Sequence, residues 1–244
     1  MSGPAEAMAR LDDQVSRCRR CPRLVAWREQ VARDKRAAYA DQDYWGRPVP
    51  GFGPADARIL LVGLAPAAHG ANRTGRMFTG DRAGDWLFAS LHRVGLANQA
   101  ASVALDDGLE LHEVRMAAPI RCAPPANKPT PEERAACAPW LDRELAILRP
   151  SLRVAVALGA IGWQSALTAL GGAGWTVPRP RPRPRFGHGA EALLGWAGRG
   201  AGADVVLLGC FHPSQHNTFT GRLTEPMTDE VLLRAREVAE TMTR

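Results

Sequence analysis

Apolar residues along this chain fall into short unbroken runs that alternate with longer stretches of helical spacing. Ile59-Leu60-Leu61-Val62, closed by Gly63, is continuous in aliphatic side chains, the pattern of a strand buried on both faces of a parallel sheet. Val114 to Ile120, Leu152 to Leu158 and Asp204 to Cys210 read the same way. Between them, Trp86, Leu87, Leu91 and Val94 recur at helical spacing over Gly84 to Val94. Thr130, with Pro131 at the next position and Glu133 three on, opens a helix that runs to about Leu148. Ala160 to Leu170 and Thr228 to about Met242 are also helical in pattern, and Leu11 to Arg36 is mostly helix-compatible. Tyr39 to Pro54 reads as a loop, broken by its Gly and Pro residues. A second loop is Gly171 to Arg185, whose Pro-Arg alternation from Pro178 predicts extended polyproline II. Strands alternating with helices predict an α/β fold, a three-layer α/β/α sandwich around a mostly parallel sheet. The whole of 1–244 reads as one domain, without an internal repeat or a clear linker.

The stretch that organises the rest is the first strand with the loop and helix behind it. Gly63-Leu64-Ala65-Pro66-Ala67-Ala68-His69-Gly70 continues through a Gly-rich loop to Thr79-Gly80-Asp81 and then a helix. Strand, loop and helix in that order place a ligand beyond the carboxyl end of a strand, where backbone N–H groups suit an anionic group. Neither GxxxxGK[ST] nor GxGxxG is present, which argues against a phosphate-loop NTPase.

Charge and size change the picture little. Lys plus Arg number 31 against 25 Asp plus Glu, a net +6 that permits an anionic partner without requiring one. No apolar run approaches the length of a membrane helix, and Met1 to Asp13 lacks the basic-then-apolar order of a signal peptide, so the expected compartment is the cytoplasm.

Cysteine usage is more informative. Of five cysteines, Cys210 lies in an apolar strand pattern and reads as a buried small hydrophobe. Cys18 and Cys21 form a C-x2-C pair, and Cys122 and Cys137 a wider C-x14-C pair. Four thiolates suit tetrahedral zinc or a 4Fe–4S cluster, and unliganded thiols are a third reading; the wide second pair argues mildly against a zinc ribbon.

Three segments taken together resemble the family 5 uracil-DNA glycosylases, relatives of the family 4 enzymes. They are Gly63-Leu64-Ala65-Pro66-Ala67 with Gly75-Arg76-Met77-Phe78-Thr79-Gly80-Asp81, then Arg121-Cys122-Ala123-Pro124-Pro125-Ala126-Asn127-Lys128-Pro129, and His212-Pro213-Ser214 with Asn217. The likeness runs from about residue 18 to 225. It implies a Rossmann-like α/β/α fold and a 4Fe–4S cluster on Cys18, Cys21, Cys122 and Cys137, with zinc as the alternative; the cluster would tie in an N-terminal helical segment of about 5–40. Asn127 matches the base-binding carboxamide, which can read both donor and acceptor edges of uracil. Phe78 matches the aromatic that stacks on the base, and His212 a donor to the leaving base anion. Gly63, Leu64, Ala65 and Asn217 complete the expected substrate contacts.

Family 1 has an acid where this chain has Ala65, and family 4 has one where it has Leu64; family 5 shares the apolar motif. That removes the obvious base and leaves Asp81 to position water, with a helix N-cap as its competing role and His69 as a weaker candidate. Arg179, Arg181, Arg183 and Arg185, with Ser214 and His216, are the expected DNA contacts. The implied function is removal of uracil, and of other deaminated bases such as hypoxanthine, from DNA by a monomeric enzyme. The rivals are a non-catalytic Fe–S or zinc nucleic-acid-binding protein and a small-nucleotide enzyme, the latter disfavoured by the lack of a phosphate-loop lysine or acidic metal cluster.

Overall fold

In the computed structural model, which describes residues 3–178 and 184–242, strand β1 (Ile59–Val62) is buried at every position. It pairs in parallel with β2 (Val114–Ala117) on one side and β3 (Val154–Leu158) on the other, Leu61 standing opposite Met116 and Val156. The β1 side chains divide by parity. Leu60 and Val62 join the core beneath α1 (Pro4–Ser16), α5 (Pro131–Leu148) and α6 (Gly159–Ala173). Ile59 and Leu61 join the core beneath α4 (Arg82–Arg93) and α8 (Glu225–Thr241). A strand covered on both faces has no polar face to show, hence the unbroken apolar run. The result is the expected three-layer α/β/α sandwich.

Among the described residues the sheet has six strands in the order β2, β1, β3, β6 (Val205–Cys210), β5 (Glu191–Trp196) and β4 (Trp175–Thr176), with β6 parallel to β3. Two strands lie outside the sequence expectation. β5 (Glu191–Trp196) runs antiparallel to β6, burying Ala192 and Leu194 and exposing Glu191 and Leu193. β4 (Trp175–Thr176) falls within the stretch expected to be loop and forms the edge. Half-covered strands alternate rather than run apolar, and six residues of alternation around a glycine give a weak signal.

The N-terminal helical stretch is likewise broken. α1 ends at Ser16, and α2 (Pro22–Asp34) begins with proline at its first position. Proline is tolerated there, but it pushes the preceding residue out of the helical region, and Cys21 is extended (φ −111°, ψ 97°). Thr130 and Glu133 form the predicted capping box of α5.

One buried charge network ties these layers together. Glu144, 1% exposed, pairs through one carboxylate oxygen with Arg115 and through the other with Arg121. Arg115 also donates to Asp12 at 2.7 and 2.9 Å and to the Gly53 carbonyl at 2.7 Å. Burial alone would raise the Glu144 carboxyl, but the two guanidinium groups hold it below its usual range. Glu144→Ala would strand the buried Arg121 and leave Arg115 with Asp12 alone, so we expect a loss of ~3–5 kcal/mol in denaturant unfolding. A loss below about 1 kcal/mol would show that water compensates the arginines.

Candidate active site

Four strand ends converge on one cavity of about 720 Å³. β1 contributes Gly63 to Ala67, β3 leads into Gly159, Ala160 and Ile161, and β6 leads into His212, Ser214, Gln215 and His216. β2 contributes Ala118 and, through the loop beyond it, Asn127; Phe78 and Asp81 close the wall. The cavity therefore lies at the carboxyl edge of the sheet, where α/β proteins place ligands.

Phe78 is held there at a conformational cost. Its backbone is left-handed (φ +55°), which is rare for a bulky residue. Its ring packs so closely on the end of β1 that a Cβ at Gly63 would come within 2.7 Å of the ring. Two buried arginines, one of them (Arg73) from the short helix α3 (Ala71–Thr74), maintain the strained turn. Arg76 donates to Thr79 Oγ1 at 3.0 Å and Ser102 Oγ at 2.8 Å, and pairs with Asp107. Arg73 donates to the Gly80 carbonyl at 2.8 Å and the His69 carbonyl at 2.9 Å. Burial would raise Asp107, but Arg76 and three backbone N–H groups hold its carboxyl far below the usual range. Arg73 and Arg76 were not singled out by the sequence reading; an arginine in a Gly-rich loop carries no mark of burial.

Asn127 is also left-handed (φ +56°), as is Ala126 before it (φ +51°). The turn Pro125–Asn127 is flanked by prolines and leaves the Asn127 carboxamide exposed at the cavity mouth, without a hydrogen-bond partner among the described residues. Strained non-glycine residues that meet at one cavity mark a functional site, since their cost must be offset by the surrounding structure.

Asp81 does two things. It is the N-cap of α4, accepting from the Gly84 N–H at 3.0 Å, and it is the one acidic side chain lining the cavity among the described residues. Its second oxygen faces Gly70, where a Cβ would approach to 2.2 Å. Burial raises its pKa above 3.8, against the opposing pull of the Gly84 and Ala83 N–H groups and Arg73.

His212 lies opposite. Burial lowers its pKa below 6.5, so the ring is neutral near pH 7, and no protein partner holds its ring nitrogens among the described residues. Asn217 does not line the cavity: its carboxamide donates to the His212 carbonyl at 2.8 Å and braces the loop. Ser214 caps the short helix α7 (Gln215–Phe219), and it and His216 lie on the cavity wall. The first turn of α6, without a side-chain cap, directs its free N–H groups and the positive end of its dipole toward the same wall.

His69 is outside the cavity lining and bonds Tyr44 OH through Nδ1 at 3.0 Å. Arg185 is exposed and outside the cavity lining, while Arg179, Arg181 and Arg183 lie outside the described residues. The sequence reading missed Met77, Arg82, Ala160, Ile161 and Gln215, all in the lining. Ile161 had one available signal, an apolar residue just past a strand's carboxyl end.

A second set of predicted residues also comes together. Cys18 and Cys21 flank the break between α1 and α2, Cys122 follows β2, and Cys137 is in α5; all four line one cavity with Arg28 and Arg121. Burial pushes the Cys122 thiol up to about 12 and the Cys137 thiol to about 11. Arg28 Nη1 donates to Cys122 Sγ at 3.0 Å and the Arg121 N–H to Cys137 Sγ at 3.3 Å. Arg121 is buried with Nε and Nη1 lacking any protein partner. Among the described residues no three His, Cys, Asp or Glu side chains stand as a ready-made metal site. Cys210 belongs to the opposite core, as expected of a structural thiol.

Fold and cavity define a three-layer α/β protein whose sheet edge gathers an aromatic ring, a carboxamide, a neutral imidazole and a carboxylate around one cavity. Residues 50–236 match the family model of the uracil DNA glycosylase superfamily. The type-5 uracil-DNA glycosylase of Mycobacterium bovis is 54% identical over 98% of this chain and 84% of its own length. That of Mycobacterium leprae is 52% identical over 98% and 99%, and that of Thermus thermophilus 50% over 92% and 95%. The chain belongs to the uracil DNA glycosylase superfamily.

Proposed function

We propose that this protein is a monofunctional glycosylase that hydrolyses the bond between uracil and deoxyribose in DNA, leaving an abasic site, and that it also releases other deaminated bases such as hypoxanthine. The observation that carries this reading is the convergence of Phe78, Asn127, Asp81 and His212 on one cavity at the carboxyl edge of the sheet. A base swung out of the duplex stacks on Phe78 and is read by the Asn127 carboxamide. As the N1–C1′ bond breaks, the electron pair moves onto the base. His212 donates an N–H to the growing oxyanion, helped by the α6 amino end. A water held by Asp81 forms the new O–C1′ bond and loses its proton toward the carboxylate.

No helix among the described residues is long and apolar enough to cross a membrane. A monomer acting on DNA in the cytoplasm fits this reading. Ser214 and His216 at the rim would touch the backbone near the lesion, together with Arg185 and the tract Arg179, Arg181 and Arg183.

The four cysteines suit a 4Fe–4S cluster. Four thiolates around such a core carry net negative charge, and Arg28 beside Cys122 and the partnerless N–H groups of Arg121 supply cations there. When bound, the cluster would serve as a structural tie between the α1–α2 turn and the segment bearing Asn127. Zinc on the same four thiolates would carry a similar net charge and is the alternative occupant.

Incubation with a uracil-containing duplex followed by alkali should give strand breaks at uracil, and the same at hypoxanthine. Intact strands with uracil would defeat the glycosylase reading; breaks at uracil alone would defeat the breadth. Breadth follows from the wall, since Leu64 and Ala65 are apolar and such a pocket discriminates by only ~1–3 kcal/mol per group. Normal cytosine and adenine, poorer leaving groups, should remain.

Asp81→Asn separates the two roles of that residue, because asparagine also caps helices. We expect the rate to fall ~100-fold or more with the fold retained. The sign on stability is opposite to the usual carboxylate. A raised pKa means that the fold favours the protonated form, so this contribution is present at low pH and is lost as pH rises through the folded value. At neutral pH, Asn should therefore leave the melting temperature unchanged or higher. The wild-type rate should fall on the acid side as Asp81 takes up its proton, and that limb should vanish in the variant. A lower melting temperature with an unaltered rate would reduce Asp81 to a cap.

A further inference from the structure

A second concavity, of about 480 Å³, lies outside the base cavity and is lined by five arginines (Arg17, Arg19, Arg28, Arg33 and Arg47) against one acid, Glu29. Arg19 neutralises Glu29 at 2.5 Å, and Arg17 pairs with Asp13 on an exposed helical turn. Arg33 and Arg47 are exposed and have no ion pair among the described residues. Arg28 is 2% exposed, its Nη atoms occupied by the Cys18 carbonyl and Cys122 Sγ and its Nε without a partner. The surface has an excess of fixed positive charge that the protein itself does not answer.

Its position relative to the base cavity is set by hydrogen bonds. The Trp45 and Gly46 N–H groups donate to the Arg73 and Asn72 carbonyls at 2.8 and 3.0 Å, and Asn72 Nδ2 to the Arg28 carbonyl at 3.3 Å. Tyr44 bonds His69 in the same loop whose Ala67 and Ala71 wall the base cavity. The Val49 N–H donates to the Arg121 carbonyl at 2.7 Å, just beyond β2, the outer strand of the sheet on this side. The basic concavity thus flanks the base cavity along the carboxyl edge, past β2.

We propose that this concavity is a backbone site for the DNA strand that runs away from the lesion, holding phosphodiester groups. The inference rests on the glycosylase reading above. Two features favour backbone over a free nucleotide. The guanidinium groups come from the α1–α2 turn, from α2 and from the 44–47 loop, so they are spread over three segments of the surface rather than gathered on one loop, as a phosphate-binding loop would gather its donors. The Trp45 ring that could have stacked a base is already covered by Arg47, 5.4 Å from its centroid. Because Arg28 reaches from this concavity to Cys122, the site also connects the bound strand to the cysteine cavity.

The test is a salt titration of the intact protein on a uracil-containing duplex with a sugar that resists hydrolysis. Each phosphate contact contributes ~0.9 to the slope of log affinity against log salt, so Arg33→Ala/Arg47→Ala should lower the slope by about 1–2. Shortening the duplex on one side of the lesion should weaken wild-type binding and leave the variant indifferent to that end. Arg234→Ala/Arg236→Ala, on α8, should retain the wild-type slope. Circular dichroism checks that the exposed substitutions leave the fold intact. A wild-type slope in the double variant overturns the proposal, as does tight binding of inorganic phosphate lost in the variant while its DNA slope is unchanged. Uracil release by the wild-type protein in the same preparation shows that such a failure belongs to this site and not to the glycosylase reading.

Discussion

His212→Ala should lower single-turnover release of uracil by ~100- to 1000-fold, the scale set by losing one preorganised donor to a developing oxyanion. Only charge that grows along the reaction is stabilised differentially, so DNA affinity should change far less than the rate. Three features of the structure suit the imidazole to the proposed role. Burial keeps it neutral near pH 7, so its N–H donates without a standing positive charge. No protein group occupies its ring nitrogens among the described residues, leaving the donor for a ligand. Asn217 fixes its carbonyl at 2.8 Å, so Asn217→Ala should give a smaller loss of rate through a loosened loop. The lowered pKa gives a second handle. The unfolded chain takes up this proton at a higher pH than the folded one, so stability falls as pH drops from about 6.5 toward the folded value. His212→Gln, which keeps a donor and cannot titrate, should recover part of the rate and remove that acid sensitivity. A loss below tenfold in His212→Ala would shift the burden of anion stabilisation to the α6 amino end. Asn127→Ala should be comparably damaging, through a base no longer held against Phe78.

What the sequence disclosed depended on how strongly each position is constrained. Strands buried on both faces announce themselves by apolar runs. β1, β3 and β6 are unbroken, while β2 lies within such a run interrupted by Arg115, which is buried through its pairing with Glu144 and Asp12. β5 and β4 did not announce themselves, because a strand with one wet face alternates and here is short and interrupted by Gly195. Phe78, Asn127, Asp81 and His212 were legible through a resemblance, and their type alone would not have gathered them. The cavity joins segments more than a hundred residues apart, a fact of topology. Arg73 and Arg76 were invisible for the opposite reason: their importance lies in being buried, and arginine in a polar loop is ordinarily exposed. The Pro-Arg tract advertised basic residues, whereas the concavity of Arg17, Arg33 and Arg47 is assembled from three separate segments and has no motif to find.

Changing Cys18, Cys21, Cys122 or Cys137 to Ser should each remove the brown colour and broad visible absorption expected of the purified protein, and lower its melting temperature by about 10 °C or more. The direction follows from the thiols. With Cys122 pushed up to about 12 and Cys137 to about 11, neither ionises at neutral pH on its own. A metal centre held by them would supply the charge that deprotonates them, so its binding and folding would be linked. Without it, the turn between α1 and α2 is joined to the segment after β2 by Arg28, by Arg23 on the Lys128 carbonyl and Glu133, and by weak thiol contacts. The Asn127 loop begins soon after Cys122 and shares that segment, so the serine variants should lose uracil release along with stability. Cys210→Ala is the internal control: its thiol lies in the other core, donates to the Phe211 carbonyl at 3.4 Å, and is pushed up to about 12 by burial with no nearby thiol. It should keep both colour and cluster iron. Iron and sulfide analysis gives the count, and a colourless protein containing stoichiometric zinc, lost in the same four variants, would replace the iron–sulfur assignment with a zinc site on the same cysteines.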